Sequence, residues 1–329
     1  MSATQKSLSA KDAGNYLLDH ALVVILVLLA VITAIVRPAF LSVGNLTNIM
    51  RQFGALSFVA LGLTFAIISG FIDLSIPGMV NMSAVLVIWL INPVGQWGSL
   101  IFTICFGIFA GFLNGFLITR AGAITQAEGL FITFGMSQVW SAAALILSDG
   151  KTQQFRWTER PYDLFVWLGS FKIGFIPIAI VIFVIMMLFL NFIHKRTYFG
   201  RSISLIGGNK TAANLAGIHV DWTIIRTFMV AGAMTAIGAI MLVGRVTNAS
   251  PTVGLGYDND AILSVVVGGT SLAGGKGSAI GTMLGVLLVT LLSNCMNLLE
   301  VSPYMQYVMK GAVLIFAIWA DSRKNRKIS

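Results

Sequence analysis

The chain has 329 residues, of which 57% are hydrophobic and only 10% are charged. Soluble domains carry about 25% charged residues, so this composition, with a mean hydropathy of +0.89, excludes an ordinary water-soluble protein. The net charge of +9 comes from basic residues scattered between apolar runs, which argues against a nucleic-acid-binding surface. We therefore predict an all-α, polytopic membrane protein, because a spanning helix needs about 20 mostly apolar residues.

Ten apolar windows follow one another along the chain, and we expect a span in each. They are residues 20–41, 46–70, 78–92, 98–118, 128–148, 173–193, 223–243, 258–274, 277–299 and 303–320. With the N-terminus inside, the inner segments hold thirteen of the 21 basic residues, as the positive-inside rule requires. The expected organisation is a cytoplasmic N-terminal segment (1–19), one transmembrane domain (20–320) and a basic cytoplasmic tail (321–329). The first residues lack a signal-peptide pattern, so the first span is expected to insert the chain.

Two stretches interrupt the apolar pattern with glycine, polar residues and then proline. They follow the second and seventh spans and read "GFIDLSIPG" (70–78) and "GRVTNASPTVG" (244–254). The fourth and ninth spans carry glycines four residues apart, within 107–115 and 277–285, which favours close helix packing. The members of each pair are five spans apart in the chain. The pattern predicts an inverted repeat with broken helices, a design that places substrate near the repeat interface.

Polar residues in or near the spans are candidates for a translocation pathway or gate. Asp73, in the first break, is either a functional intramembrane carboxylate or a solvated cap of the next helix. Asparagine and serine side chains bind hydroxyl groups without carrying charge, and helix-to-helix hydrogen bonding is their alternative role. Asp258 and Asp260, with Lys310 near the same end, are expected to brace an outer gate or receive a partner. The full set is Asp73, Ser75, Asn81, Asn114, Asn248, Asp258, Asp260, Asn294 and Asn297.

Two loops are long: 149–172, expected outside, and 194–222, expected inside. The inner loop contains "GRSISLIGGNKTAANLAGI", which is glycine-rich and basic. It is not a phosphate-binding P-loop, because its lysine-threonine pair follows Asn209 instead of a glycine. A second near match, "GGTSLAGGKGS", fails because Gly277 follows its lysine. We therefore expect no ATP hydrolysis by this chain.

The sequence indicates no other chemistry of its own. Cys105 and Cys295 lie inside apolar runs, where both are expected to be packed core residues. Neither a metal-ligand spacing nor a disulfide framework is present. We expect no cofactor and no catalytic site.

The inner loop has the signals of a short helix. Asn209 is a favourable N-cap and Gly217 a favourable residue just past the end of a helix. Between them, Ala212, Leu215 and Ala216 share one face. Two turns are too short to be stable alone, so this helix would pack on its own domain or on a partner; a plain cytoplasmic turn is the alternative.

Four stretches carry a resemblance to a known family. They read "GFIDLSIPG", "YFGRSISLIGGNKTAANLAGI", "PTVGLGYDNDAILSVVVGGTSLAGGKGSAIGT" and "NLLEVSPYMQYVMKG". From about Gly44 to Asp321 the chain resembles the ribose-type permease subunits of bacterial ABC importers, a class that also serves xylose, galactose and inositol. It departs from the family pattern at Phe71, where glycine is usual, and at Glu128.

The resemblance implies a subunit of the bacterial cytoplasmic membrane that moves a sugar by alternating access and is not an enzyme. A second permease subunit, identical or related, would pair with it, a cytoplasmic ATP-binding subunit would drive it, and an extracytoplasmic binding protein would deliver the solute. The resemblance implies that the ATPase docks on Asn209, Lys210, Thr211, Ala212, Leu215, Ala216, Gly217 and Ile218. A permease for nucleosides or branched-chain amino acids, and an ion-coupled secondary transporter, are the alternatives.

Overall fold

The computed structural model describes residues 21–122 and 125–326, with side chains described from 26 to 319 within these ranges. The predicted N-terminal segment 1–19 lies outside the described residues, as does the end of the predicted tail after Arg326. The described chain is mostly helical, and its strands have two residues each. The prediction of an all-α fold is confirmed.

The helices follow the apolar windows and the two long loops. They are α1 (Ala21–Val36), α2 (Val43–Ile68), α3 (Ile76–Trp89), α4 (Ile91–Arg120), α5 (Gln126–Leu147), α6 (Asp163–Ser170), α7 (Ile178–Arg196), α8 (Tyr198–Gly208), α9 (Lys210–Leu215), α10 (Val220–Val246), α11 (Tyr257–Val267), α12 (Ala279–Leu298) and α13 (Pro303–Arg326), with short 3₁₀ turns at Pro38–Leu41 and Phe155–Trp157. The strands are β1 (Gln153–Gln154), β2 (Lys172–Ile173), β3 (Ile176–Pro177) and β4 (Asn248–Ala249). Antiparallel pairs form between β1 and β4 and between β2 and β3.

Each predicted window overlaps one of these helices, with α6, α8 and α9 added in the long loops. Within the described residues, six helices are long and apolar enough to cross a bilayer: α2, α4, α5, α7, α10 and α12. The predicted window 258–274 extends too far, because α11 ends at Val267. The following residues include Gly269 and Gly274, which have φ of +84° and +85°. This left-handed backbone ends a helix and suits glycine.

Helices α2 and α10 form the centre of the fold. Their most apolar stretches are 89% and 78% buried, against 17% for α5. Gly62 of α2 faces Ala231 of α10, whereas Gly238 of α10 faces Ala55 of α2. The contact positions rise on one helix as they fall on the other, so the two helices are antiparallel. This is the relation that an inverted repeat requires of two corresponding helices, here the second and seventh spans.

Both predicted glycine seams are packing surfaces. On α4, a Cβ at Gly107 would lie 2.6 Å from the Cβ of Ala236, and one at Gly115 would lie 2.6 Å from the Cα of Ile225. On α12, a Cβ at Gly285 would overlap the backbone of α11. The glycines let these helices approach more closely than side chains would allow.

The two cysteines differ in environment. Cys295 is buried, as predicted, but Cys105 is exposed. Cys105 lies two residues before Gly107, and a helix turns about 100° per residue. Its side chain therefore points away from the face of α4 that packs on α10, and the prediction of a core position for it is wrong.

Candidate functional site

The first break separates α2 from α3 by residues 69–75 and holds a buried carboxylate. Asp73 is 2% exposed, and its Oδ1 accepts hydrogen bonds from the backbone N–H of Ser75 at 2.9 Å and from the Ser75 hydroxyl at 2.5 Å. Both bonds link Asp73 to Ser75, the residue just before α3, and they order the turn that leads into the helix. The expectation of a solvated cap is wrong, because the carboxylate is inside the protein and bonds Ser75 instead of an N–H group of α3.

A second predicted residue joins this group from α4. The amide nitrogen of Asn114 donates to the Ser75 hydroxyl at 2.7 Å. The Asn114 Oδ1 atom is buried and has no hydrogen-bond partner within the described part of the chain. Asp73, Ser75 and Asn114 therefore form one buried polar network at the start of α3.

A row of hydroxyl side chains on one face of α5 accepts hydrogen bonds from the first break and from α3. These contacts were not predicted from the sequence. Thr133, Ser137 and Ser141 are four residues apart, which places them on one helix face. Thr133 Oγ1 accepts from the backbone of the break at 3.0 Å, Ser137 Oγ from the N–H of Gly78 at 3.2 Å, and Ser141 Oγ from Asn81 Nδ2 at 3.1 Å. The regular hydroxyl spacing in the fifth span was the available signal.

The two breaks meet at Asn81. Its Oδ1 accepts a hydrogen bond of 2.7 Å from the N–H of Gly254, in the second break. A Cβ at Gly254 would lie 3.0 Å from that same Asn81 oxygen and would overlap the carbonyl oxygen of Pro77. Helices α3 and α11 thus begin close to one junction, which resembles the paired half-helix N-termini of broken-helix transporters.

The remaining asparagines lie away from this junction. Asn294 and Asn45 exchange two amide hydrogen bonds, of 2.8 and 3.0 Å, between α12 and α2. Asn297 Oδ1 accepts from Gln306 at 2.9 Å, and Asn248, in β4, donates to the nearby carbonyl of Val246 at 3.0 Å. The contacts of Asn294 and Asn297 match the helix-bonding alternative for asparagine, whereas that of Asn248 is local.

The predicted acidic residues lie in the first turn of α11. Asp260 forms an ion pair with Lys310 of α13, with Nζ and Oδ2 2.8 Å apart. Asp258 is in the same turn. Within the described residues, no group of three histidine, cysteine or acidic side chains is placed to hold a metal ion.

The inner loop folds as the helix signals predict. The Asn209 side chain accepts from the N–H of Ala212 at 2.9 Å, and Gly217 has a φ of +82°. The N–H of Ile218 donates to the carbonyl of Ala213 at 3.1 Å. Both ends of α9 are therefore capped, as the N-cap and glycine rules predict.

This short helix has an inner and an outer face. Ala213 and Ile218 are buried in a cluster that includes Phe71 and Phe228. The residues of the outer face, Thr211, Ala212, Leu215 and Ala216, are exposed. Leu215 is 84% exposed. The alternative of a plain turn is wrong, because the segment is a capped helix anchored on its own domain.

Two departures from the family pattern have structural roles. Phe71 is buried beside Gly129, and the Lys210 ammonium lies 5.8 Å from the centre of its ring. It therefore joins the first break to α9. Glu128 forms a capping box with Thr125 at the start of α5, with reciprocal bonds of 2.9 and 3.3 Å. The Thr-x-x-Glu spacing was a signal for that box.

Most of the chain matches a known protein family and several related permeases. Residues 45–318 match the family described as "Branched-chain amino acid transport system / permease component". The chain is similar to the ribose import permease protein RbsC of Haemophilus influenzae, with 31% identity over 94% of each chain. It is also similar to RbsC of Bacillus subtilis, with 34% identity over 91% of each chain. The galactose/methyl galactoside import permease protein MglC of Escherichia coli is 30% identical over 97% of this chain and 98% of its own.

No solved structure matches this chain. The family match covers far more than half of the residues, and the predicted resemblance is confirmed. The chain is a multi-pass membrane protein and a transport component, not an enzyme. It belongs to the family of branched-chain amino acid transport system permease components.

Proposed function

We propose that this chain is the membrane-spanning subunit of an ABC importer that takes up a sugar or a sugar-like solute. The similar proteins named above are permeases for ribose and for galactose or methyl galactoside. The solute would cross by alternating access, powered by ATP hydrolysis on a separate subunit. Both termini would lie in the cytoplasm of a bacterial cell, with the chain in its inner membrane.

The exposed apolar face of α9 carries the proposal. Leu215 is 84% exposed, although it lies on a short helix between the two spans α7 and α10. Together with Ala212 and Ala216, this side chain supports a small apolar docking surface for a protein partner. The chain has no P-loop, so the partner would be the cytoplasmic ATP-binding subunit.

A packed route leads from this surface to the breaks. The inner face of α9 shares its cluster with Phe71, and Phe71 lies two residues before Asp73. Asp73 bonds Ser75 just before α3, and α3 meets the second break through Asn81 and Gly254. Movement of α9 by the ATP-binding subunit would therefore reach the point where the two broken helices meet.

The outer loop, residues 149–172, is connected to the second break. Its strand β1 pairs with β4, which lies in that break. The backbone N–H groups of Glu159 and Leu164 donate to Asn92 and Gln96 of α4, both at 2.9 Å. A binding protein that docks on this ordered loop would contact a segment joined to the second break. A second permease subunit, identical or related, would complete the pathway.

The docking surface is tested by placing charge on it. The double variant Leu215→Asp/Ala216→Asp should abolish co-purification with the ATP-binding subunit and solute-stimulated ATP hydrolysis. The control is Ile173→Asp, a residue 57% exposed on the outer hairpin, which should leave co-purification with the ATP-binding subunit unchanged. Normal assembly and stimulated hydrolysis in the double variant would refute the assignment of α9.

The family description favours one alternative solute, a branched-chain amino acid. Competition in reconstituted uptake separates the two. We expect ribose, galactose or xylose to compete with the transported solute and leucine not to do so. The reverse result would move the chain to amino acid transport.

A further inference from the structure

We propose that a small polar chamber between α11 and α13 is where the transported sugar contacts this subunit; this rests on the proposed sugar transport. The chamber has a volume of about 150 Å³. Its lining includes Gly256, Tyr257, Asp260, Gln306, Tyr307 and Lys310. Two helices thus contribute an ion pair and two tyrosine rings to a pocket that is partly open to the surface.

Lys310 belongs to the last predicted span, 303–320. It is seven residues into α13, or about 10 Å from the start of that helix at 1.5 Å per residue. Its side chain is 16% exposed, and that of Asp260 is 25% exposed. Intramembrane charges are rare, and they mark substrate pathways. A well-packed apolar pair would hold α11 to α13 without the cost of desolvating two charges, so packing alone does not explain the pair.

The chemistry of the chamber suits a neutral polyol. The carboxylate of Asp260 accepts hydrogen bonds and the ammonium of Lys310 donates them, whereas each sugar hydroxyl can do both. The pair is neutral overall, so it does not select for an anion or a cation. Adjacent hydroxyl groups of one sugar can therefore bond both members of the pair.

Gln306 and Tyr307 complete the lining on the side of α13. Gln306 donates through Nε2 to Asn297 Oδ1 and to the carbonyl of Val301, both at 2.9 Å. The ring of Tyr307 lies close to the backbone of the second break, since a Cβ at Gly256 would be 3.3 Å from its Cε1. Tyr307 is 55% exposed, so its ring is free to cover the apolar face of a sugar.

The chamber is built directly on a broken helix. Gly256 has a φ of +85° and immediately precedes α11. Two residues earlier, Gly254 bonds Asn81 at the junction of the breaks. A rearrangement of that junction would therefore change the shape of the chamber, as alternating access requires.

The test removes both charges at once, because a single neutralisation would leave the other charge buried and unpaired. The variant Asp260→Asn/Lys310→Met is reconstituted in proteoliposomes with the ATP-binding subunit and binding protein. Uptake of ribose, galactose and xylose is measured per assembled complex. We expect uptake to fall roughly tenfold or more, and the ratio of ribose to galactose uptake to change. Tyr307→Ala should also lower uptake, whereas Tyr307→Phe should retain it.

The matched control is the surface ion pair of Arg37 and Glu300, 2.6 Å apart with side chains 46% and 76% exposed. Glu300→Gln should leave uptake and the sugar ratio unchanged. If the chamber is only a brace, the double variant will melt earlier with an unchanged sugar ratio, and the proposal is overturned. Unchanged uptake in the double variant overturns it as well. If the unaltered complex imports none of the three sugars, the proposed function itself has failed.

Discussion

Helices α4 and α10 pack against each other through backbone atoms at glycine positions. A single methyl group added at one of these glycines should therefore lower the stability of the protein. A Cβ at Gly111 would overlap the carbonyl oxygen of Phe228 and lie 2.7 Å from its carbonyl carbon. Both neighbours are backbone atoms of a central helix, so neither can move aside by a rotamer change. We expect Gly111→Ala to force the helices apart, at an overpacking cost of about 1–3 kcal/mol.

The matched control is Gly135→Ala on α5. It is the same change inside another apolar helix, but no atom lies within 4 Å of the added Cβ. Replacing glycine by alanine favours a helix by about 1 kcal/mol at either site, so the difference between the variants isolates the packing term. Melting of the detergent-purified protein, followed by size-exclusion chromatography, should rank Gly135→Ala at or above the unaltered protein and Gly111→Ala below it. Equal melting of the two variants would refute the close approach of α4 and α10.

Further variants probe the breaks and their neighbours. Asp73→Ala removes the acceptor of two buried hydrogen bonds from Ser75 and should lower stability by about 1–3 kcal/mol, and a melting temperature equal to that of the unaltered protein would contradict this role. Asn81→Ala leaves the Gly254 N–H without its acceptor and should cost about 1–3 kcal/mol, measured by the same melting assay; no loss would show that the breaks do not depend on this bond. A double-mutant cycle with Asn45→Ala and Asn294→Ala should give a coupling of about 1 kcal/mol, and additive effects would argue against the reciprocal amide pair. Phe71→Ala should still bind the ATP-binding subunit but should lower the number of solute molecules taken up per ATP hydrolysed. An unchanged ratio of uptake to ATP hydrolysis would show that Phe71 does not connect α9 to the breaks.

The sequence predicted those parts of the fold that depend on local patterns. Ten apolar windows became ten helices, and the caps of α9 followed from Asn209 and Gly217. The glycine seams followed from spacing alone, because glycines four residues apart share a helix face. The breaks were recognisable because glycine and proline punctuate a helix whatever its surroundings.

The grouping of the candidate pathway residues was not predictable in the same way. Asp73 and Asn114 come together only because α4 packs beside the first break, and Asn81 reaches Gly254 over 173 residues of sequence. Hydrogen bonds between distant spans depend on helix rotation and depth, which a single sequence does not fix. The partnership of Lys310 with Asp260 is of the same kind.

Reconstitution with and without the companion subunits tests the central claim most directly. The purified chain alone in liposomes should not accumulate ribose, galactose or xylose against a gradient. Adding the ATP-binding subunit, the binding protein and ATP should produce accumulation that stops when ATP is withheld. Uphill accumulation by the chain alone, in the absence of nucleotide, would contradict the account.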